Sequence, residues 1–375
     1  LRGQLLFLKG RFAEAAAAFE KELTLWKQAL YSGANFVVGS CHYRIGRVYF
    51  INGQMEKADK HLAKAVALQQ RFLESKKRRI GKHYVQYDEQ PRGVQLAKSL
   101  QSLALVRWKG KQYTAAASLL TRAVKLRREH LDPTHLDLLR SLLSLAQLRE
   151  ITGKYKAAET LYADLLERLQ KRKRPSLAMM GQALKNLGDV YRRTRQYKKS
   201  EQHYKKARST LNKAAQFKKR DVYLAMVDSG LAMVYVKTNR AGEAEALFKK
   251  AAGVYAQNPK RFSSGLVLCK VQLGKLYLGT KRVDQAATVL QEAMNIAKTH
   301  MGHKTYGYAR TLAELAKVHL AKGDKQTAAK HLAKSYQVVH GQYGPNHPRT
   351  KRIRAQVEKV YKALGWQDKL KALIQ

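Results

Sequence analysis

The sequence predicts an all-α solenoid, about eight helical hairpins stacked in a row with a capping helix at the C-terminal end. Three observations carry this. A small residue recurs in one register, at Ala15, Ala58, Ala116, Ala158, Ser200, Ala244, Ala286 and Ala328, with steps of 43, 58, 42, 42, 44, 42 and 42 residues. A fixed period of about 20–50 residues is the signature of a solenoid. Four positions after each comes a large residue: Phe19, Leu62, Leu120, Tyr162, Tyr204, Phe248, Leu290 and Leu332. Only six prolines occur in 375 residues, which permits long helices.

The elements follow in order. Three positions before each small residue stands a usually bulky one: Phe12, Met55, Tyr113, Tyr155, Tyr197 and Val283, with Ala241 and Lys325 departing from the pattern. Residues three and four apart share one face of a helix. The small residue therefore lets two helices approach, the bulky one plugs the gap between them, and the large one points to the same side. This is the second helix of each hairpin, helix B. The first, helix A, carries a large–small pair: Ile45-Gly46, Leu103-Ala104, Leu145-Ala146, Leu187-Gly188, Leu231-Ala232, Leu273-Gly274 and Leu315-Ala316. Turns are expected near Gly10, Gly53, Lys111, Gly153, Arg195, Asn239, Lys281 and Gly323.

After Pro345 one last helix is expected, roughly over 347–364, broken at Gly365 and followed by a short helix with Trp366 and Leu370. Residues 346–375 read as a cap over the final repeat's apolar face or as a frayed tail. The 58-residue step contains about 16 extra residues, placed within 74–93, and includes KKRRIGKHYVQYDEQPR with Tyr84 and Tyr87 among its cations. Such a segment reads as a loop lying along a nucleic acid backbone and stacking a base, or as a helix extension with a solvated loop. The whole chain, 1–375, reads as one solenoid domain.

These residues resemble tetratricopeptide repeats, in the kinesin-light-chain-like variety with its 42-residue period. The resemblance covers nearly the whole chain and implies a right-handed superhelix. Units of that variety often begin with a Gly-x-x-His-Pro element, matched at Gly344-Pro345-Asn346-His347-Pro348 and more weakly at Asp132-Pro133-Thr134-His135 and Gly302-His303-Lys304-Thr305. The prolines and Asn346 suit a helix start, because proline pre-sets the backbone and asparagine caps free amides. Such repeats usually bind peptides in a concave groove through asparagines at the third position of a Leu-Asn-Asn-Leu-Ala motif on helix A. Here that position holds Arg44, Ser102, Ser144, Asn186, Gly230, Gln272 and Glu314, so only Asn186 matches. Asn186 reads as a ligand contact in the groove or as a solvated groove residue.

The charge narrows the function. Lys and Arg number 73 against 27 Asp and Glu, a formal net charge of +46. Solubility alone needs a net charge of about 2–8, and a protein this basic seeks polyanions. The cations concentrate where helix B runs into the next helix A. They are Lys76, Lys77, Arg78, Arg79 and Lys82; Arg127 and Arg128; Lys171, Arg172, Lys173 and Arg174; Lys218, Lys219 and Arg220; and Arg349, Lys351 and Arg352. One cation per helix end offsets the macrodipole, but four in a row repel one another. A continuous basic edge for phosphate contacts is therefore expected.

No phosphate-binding glycine loop, HExxH or GxSxG motif occurs. His300 and His303 form a weak metal pair, better read as part of a helix start. Cys41 and Cys269 stand alone, so neither a disulfide framework nor a cysteine zinc site is expected. Glu159, Glu201 and Glu245 follow the recurring small residue and read as packing or solvation rather than as catalytic carboxylates. No enzyme, cofactor, metal or membrane span is expected. The sequence starts at Leu1 with a helix interior already under way at Leu5–Leu8, so the true N-terminus and any targeting peptide are expected upstream. Two functional readings remain. One is a scaffold on RNA, ribosomal RNA included, and on neighbouring proteins in a large ribonucleoprotein such as a mitochondrial ribosome. The other is an interaction scaffold on tubulin or an axonemal assembly, in the cytoplasm, cytoskeleton or cilium.

Overall fold

A computed structural model describes residues 2–29, 36–79 and 89–374, apart from the side chains at 29, 75–79 and 89–91. All regular structure among these residues is helical. The chain divides into two compact units, Leu1–Ser176 and Leu177–Gln375.

Unit 1 holds four helix pairs. They are α1 (Arg2–Leu8) with α2 (Phe12–Ala29), α3 (Phe36–Ile51) with α4 (Met55–Arg79), α5 (Glu89–Lys109) with α6 (Tyr113–His130), and α7 (Leu136–Ile151) with α8 (Tyr155–Gln170). Unit 2 holds four more: α9 (Leu177–Arg193) with α10 (Tyr197–Asn212), α11 (Arg220–Lys237) with α12 (Ala241–Ala256), α13 (Pro259–Gly279) with α14 (Val283–His300), and α15 (Tyr306–Ala321) with α16 (Lys325–Tyr343). It closes with α17 (Pro348–Lys362) and α18 (Gln367–Ile374). Odd-numbered helices through α15 are the A helices and even-numbered ones through α16 the B helices. Within each unit, every helix packs on its neighbours in sequence, and A helices also touch A helices, as α3 touches α5 and α11 touches α9 and α13. Each unit is thus a stack of hairpins, an all-α solenoid.

The recurring small residue lies in the packed interior of each hairpin. Ala15, Ala58, Ala116, Ala158, Ser200, Ala244, Ala286 and Ala328 are all 0% exposed. The large residue one turn later fills the neighbouring space. A Cβ placed on Gly46, Gly188 or Gly274 of helix A would collide with Leu62, Tyr204 or Leu290 of the paired helix B, at 2.6, 2.8 and 2.4 Å. Replacing Ala158 or Ala286 by Leu is expected to destabilise by about 1–3 kcal/mol through overpacking. Chemical denaturation followed by circular dichroism checks this, and two variants that unfold with the wild type would refute the close crossing.

Every hairpin turn uses one device. Gly10, Gly53, Lys111, Gly153, Arg195, Asn239, Lys281 and Gly323 all have φ between 58° and 83°. At Lys111, for example, the following amide of Gln112 donates to the Arg107 carbonyl at 2.9 Å, while Lys111 N–H donates to Trp108 at 2.9 Å. This is the Schellman pattern, which satisfies the last free carbonyls of a helix. Glycine adopts the required left-handed backbone freely; Lys111, Arg195, Asn239 and Lys281 adopt it at a cost of about 1–2 kcal/mol each, held there by the tight packing of the two helices.

The helix start at 344–348 differs from expectation in one detail. The capping side chain is His347, whose Nδ1 accepts from the Arg349 amide at 3.2 Å, and not Asn346, because Pro348 is the first helical residue and places His347 at the cap. His135 caps α7 in the same way. At the C-terminal end, Trp366, Leu370 and Leu373 pack on the cluster built from Leu332, Tyr336, Ile353 and Val357, so α18 lies against apolar surface.

Candidate functional site

Three surface cavities, two in unit 1 and one in unit 2, are lined mainly by A helices. In unit 1, one of about 600 Å3 is bounded by Phe7, Phe36, Tyr43, Arg44, Arg47 and Arg92, and one of about 570 Å3 by Tyr43, Phe50, Lys98, Gln101 and Arg140. The Arg47 guanidinium stands 5.6 Å from the Phe7 ring centre and 5.7 Å from that of Tyr43. In unit 2, a cavity of about 590 Å3 joins Met233, Val236 and Leu276 to Lys237, Gln272 and Lys275. Each therefore combines apolar or aromatic area with cations, a composition suited to macromolecular partners.

The third-position residues of the A helices do not form a row of ligand-binding amides. Asn186 is only 6% exposed; its Oδ1 accepts from Lys185 at 3.2 Å and its Nδ2 has no partner. It is therefore not a solvated residue. Gly230 sits against the Tyr204 ring, and Glu314 is buried against Lys317 at 2.8 Å. Arg44 is paired with Glu22 at 2.7 Å.

The junction cations separate into distinct populations. Lys76, Lys77, Arg78 and Arg79 end α4, but their side chains, like Lys82 entirely, lie outside the described residues, as do Tyr84 and Tyr87. Arg127, expected on an exposed edge, is a correction. It is 2% exposed, and its guanidinium donates to Gln101, to Ser141 and to the Asp137 carbonyl at 3.0 Å. It lies on the inner face of α6, where it joins α5, α6 and α7. Arg128, one residue on, turns outward and pairs with Asp164 at 2.8 Å. In the run that ends α8, Lys171 pairs with Glu167 at 2.6 Å across exposed surface, and Arg172 is half-buried, donating to the Thr134 carbonyl. Lys173 and Arg174 are exposed. Lys218 and Lys219 are exposed before α11, and Arg220 faces Asp221 at 3.2 Å. On α17, Arg349, Lys351 and Arg352 are exposed.

Acidic residues beside the recurring small residue join neighbouring repeats. Glu201 accepts from Arg240 at 3.0 Å and from the Tyr235 hydroxyl at 3.4 Å, with the guanidinium 3.7 Å above the tyrosine ring. Glu245 repeats the arrangement with Arg282 at 2.8 Å and Tyr277 at 3.1 Å. Hydrogen bonds from Arg282 and Lys249 hold the Glu245 carboxyl down at about 2. Inside α9, burial alone would raise Asp189, but Lys185 at 2.7 Å, Arg192 at 3.0 Å and the Tyr204 hydroxyl at 2.7 Å outweigh it and hold the carboxyl at about 2. These strongly shifted carboxylates are structural ties between packed helices.

Burial pushes the Cys41 and Cys269 thiols up to about 11 and about 12, so neither is a ready nucleophile. Among the described residues, no group of three or more His, Cys, Asp or Glu is arranged to hold a metal ion. No helix there is long and apolar enough to cross a membrane. Residues that sequence reasoning missed are Lys275 and Arg310. Neither belongs to a charge run, and their only signal is a position within one turn of the third-position residues Gln272 and Glu314.

Family models described as tetratricopeptide repeat match residues 39–72, 95–171, 183–214 and 266–339. No curated protein matches the chain. Among solved structures, the quorum sensor NprR from B. thuringiensis, in its apo form, is similar at a TM-score of 0.65 and 15% identity, over 90% of this chain and 86% of that one. BtubC (BKLC) from P. vanneervenii is similar at 0.51 and 22% identity, over 64% of this chain and 93% of that one. A tetratricopeptide repeat protein from Parabacteroides merdae is similar at 0.55 and 14% identity, over 86% and 98%. At these identities the likeness is one of fold.

Proposed function

The chain belongs to the tetratricopeptide-repeat family, whose repeats are scaffolds for protein interaction, and on that premise we propose that this member is a non-enzymatic scaffold on RNA. It binds the phosphate backbone at its basic junctions and holds partner proteins on its A-helix face, within a large ribonucleoprotein such as a mitochondrial ribosome. The observation that carries the reading is the pair of exposed junctions, Lys173 with Arg174 and Lys218 with Lys219, in a chain of net charge +46. None of these four cations is in an ion pair with a described carboxylate. A charge left without an internal partner on a surface this basic is available to phosphate, and such contacts supply affinity without sequence readout. The arginine and aromatic lining of the unit 1 cavities supports protein partners, since both residue types concentrate at interfaces.

The test replaces Lys171, Lys173 and Arg174 by Gln and spares Arg172, which holds the Thr134 carbonyl. RNA binding should weaken about equally across unrelated sequences. The slope of log affinity against log salt should become shallower by up to ~0.7 for each phosphate that is no longer neutralised. Stability should stay close to wild type, because exposed ion pairs contribute about 0–1 kcal/mol. Unchanged RNA affinity with abolished microtubule co-sedimentation would refute the RNA reading in favour of an acidic protein polymer.

A further inference from the structure

A cavity of about 320 Å3 near the end of unit 2 gathers cations from three helices. Lys275 reaches it from α13, Arg310 from α15, and Arg349 and Arg352 from α17. The carboxylate in its lining is Glu314, already tied to Lys317 at 2.8 Å. No described carboxylate lies within ion-pair distance of Lys275, Arg310 or Arg352. Arg349 is held in place: it donates to the Tyr343 hydroxyl at 2.7 Å, and its guanidinium lies 4.1 Å from the Tyr306 ring centre and 5.0 Å from that of Tyr343. Val339 and Ile353 supply apolar wall.

Arg310 is half-buried, and that burial, and after it Arg352 and Arg349, lowers it from its ordinary value. Lys275, although exposed as a residue, is lowered by partial desolvation of its ammonium and then by Arg310, Lys317 and Arg352, and Glu314 opposes the shift in both. The protein alone therefore holds like charges close together here, an arrangement that a bound anion would relieve.

The geometry points to a pocket for a dianionic phosphate monoester, held by Lys275, Arg310 and Arg352 with Arg349 as a pre-positioned fourth donor. A carboxylate carries one charge and leaves most of this surplus unmet. A phosphate monoester carries about −1.5 to −2 at neutral pH and presents three acceptor oxygens, and planar guanidinium forks match those oxygens two at a time. The volume admits a phosphoryl group with a small organic portion. Tyr306, Val339 and Ile353 offer that portion a surface. This inference goes beyond the RNA scaffold: the pocket is on the A-helix side, its central residues Lys275 and Arg310 belong to no junction, and a free small molecule can fill it.

Isothermal titration of the intact chain with inorganic phosphate, uridine 5′-monophosphate and acetate, at matched ionic strength, tests it. Phosphate and the nucleotide should bind and acetate should not. Arg310→Gln and Arg352→Gln should each weaken phosphate binding at least about tenfold, while Lys21→Gln, at an exposed position on α2, should leave it unchanged. A nucleotide that binds about tenfold tighter than phosphate assigns the monoester to a nucleotide or RNA end; equal affinity assigns it to free phosphate. Equal binding of phosphate and acetate by the wild type, or phosphate binding that survives both arginine variants, overturns the pocket. The selectivity of the wild type is decisive even if a variant folds poorly.

Discussion

Tyr204→Ala is expected to destabilise unit 2 by about 3–5 kcal/mol, the range for removing a buried aromatic side chain. The ring is 0% exposed and stands between three helices. Gly188 of α9 and Gly230 of α11 both abut it: a Cβ added to them would come within 2.8 and 2.6 Å of ring atoms. Both helices approach the ring through glycines, which have no side chain to move into the space that it leaves. The hydroxyl adds a second contribution, donating to Asp189 at 2.7 Å and lying 3.3 Å from Arg192 Nε. Tyr204→Phe should therefore cost about 1.5–3 kcal/mol, the range for a hydrogen bond to a charged group. Urea unfolding monitored by circular dichroism gives both values. An alanine variant within 1 kcal/mol of wild type, against the ~3–5 kcal/mol expected from cavity formation, would show that this is not the packing centre of its repeat.

Asp189 carries the second large effect. Its folded-state carboxyl is held at about 2, below the ordinary 3.8. A depressed carboxylate adds stability that is present above the unfolded value and is lost as pH falls through the folded one. Near 1.4 kcal/mol per pH unit, that contribution is about 2–3 kcal/mol. It should be intact at pH 5, decline from about pH 4 and be largely gone at pH 2. Acid also raises the net charge of an already basic chain, so wild-type stability alone would mix two causes. Comparison with Asp189→Asn separates them, since both proteins share the general repulsion. The gap in unfolding free energy between the two should narrow by about 2 kcal/mol from pH 5 to pH 2. A gap that is constant across this range would refute the tie to Lys185 and Arg192. Glu245, also held at about 2, acts in the same direction in both proteins.

The repeat was legible because its determinants are local. A small residue flanked at −3 and +4 on one helix face, and a turn about five residues before it, recur without reference to anything distant. Even Lys111, Arg195, Asn239 and Lys281, which carry no glycine signal, follow as turns from register alone, and all four adopt the left-handed backbone there. The cap at 344–348 was legible in position but assigned to the wrong side chain, because which residue caps a helix depends on where Pro348 enters it.

Charge was legible in amount but not in use. The sequence by itself determined an all-α repeat, its register and its basic character, since these are properties of spacing and composition. Only the tertiary structure decided which cations have partners. Arg127 and Arg128 are adjacent in sequence, yet successive helix residues point about 100° apart, so one is buried against Gln101 and Ser141 and the other reaches Asp164. Lys275, Arg310 and Arg352 stand more than thirty residues apart from one another, and no local pattern joins them. They meet around one cavity because α13, α15 and α17 all contribute to its wall, and the energy of a charge depends on the distance and burial of its neighbours rather than on its place in the chain.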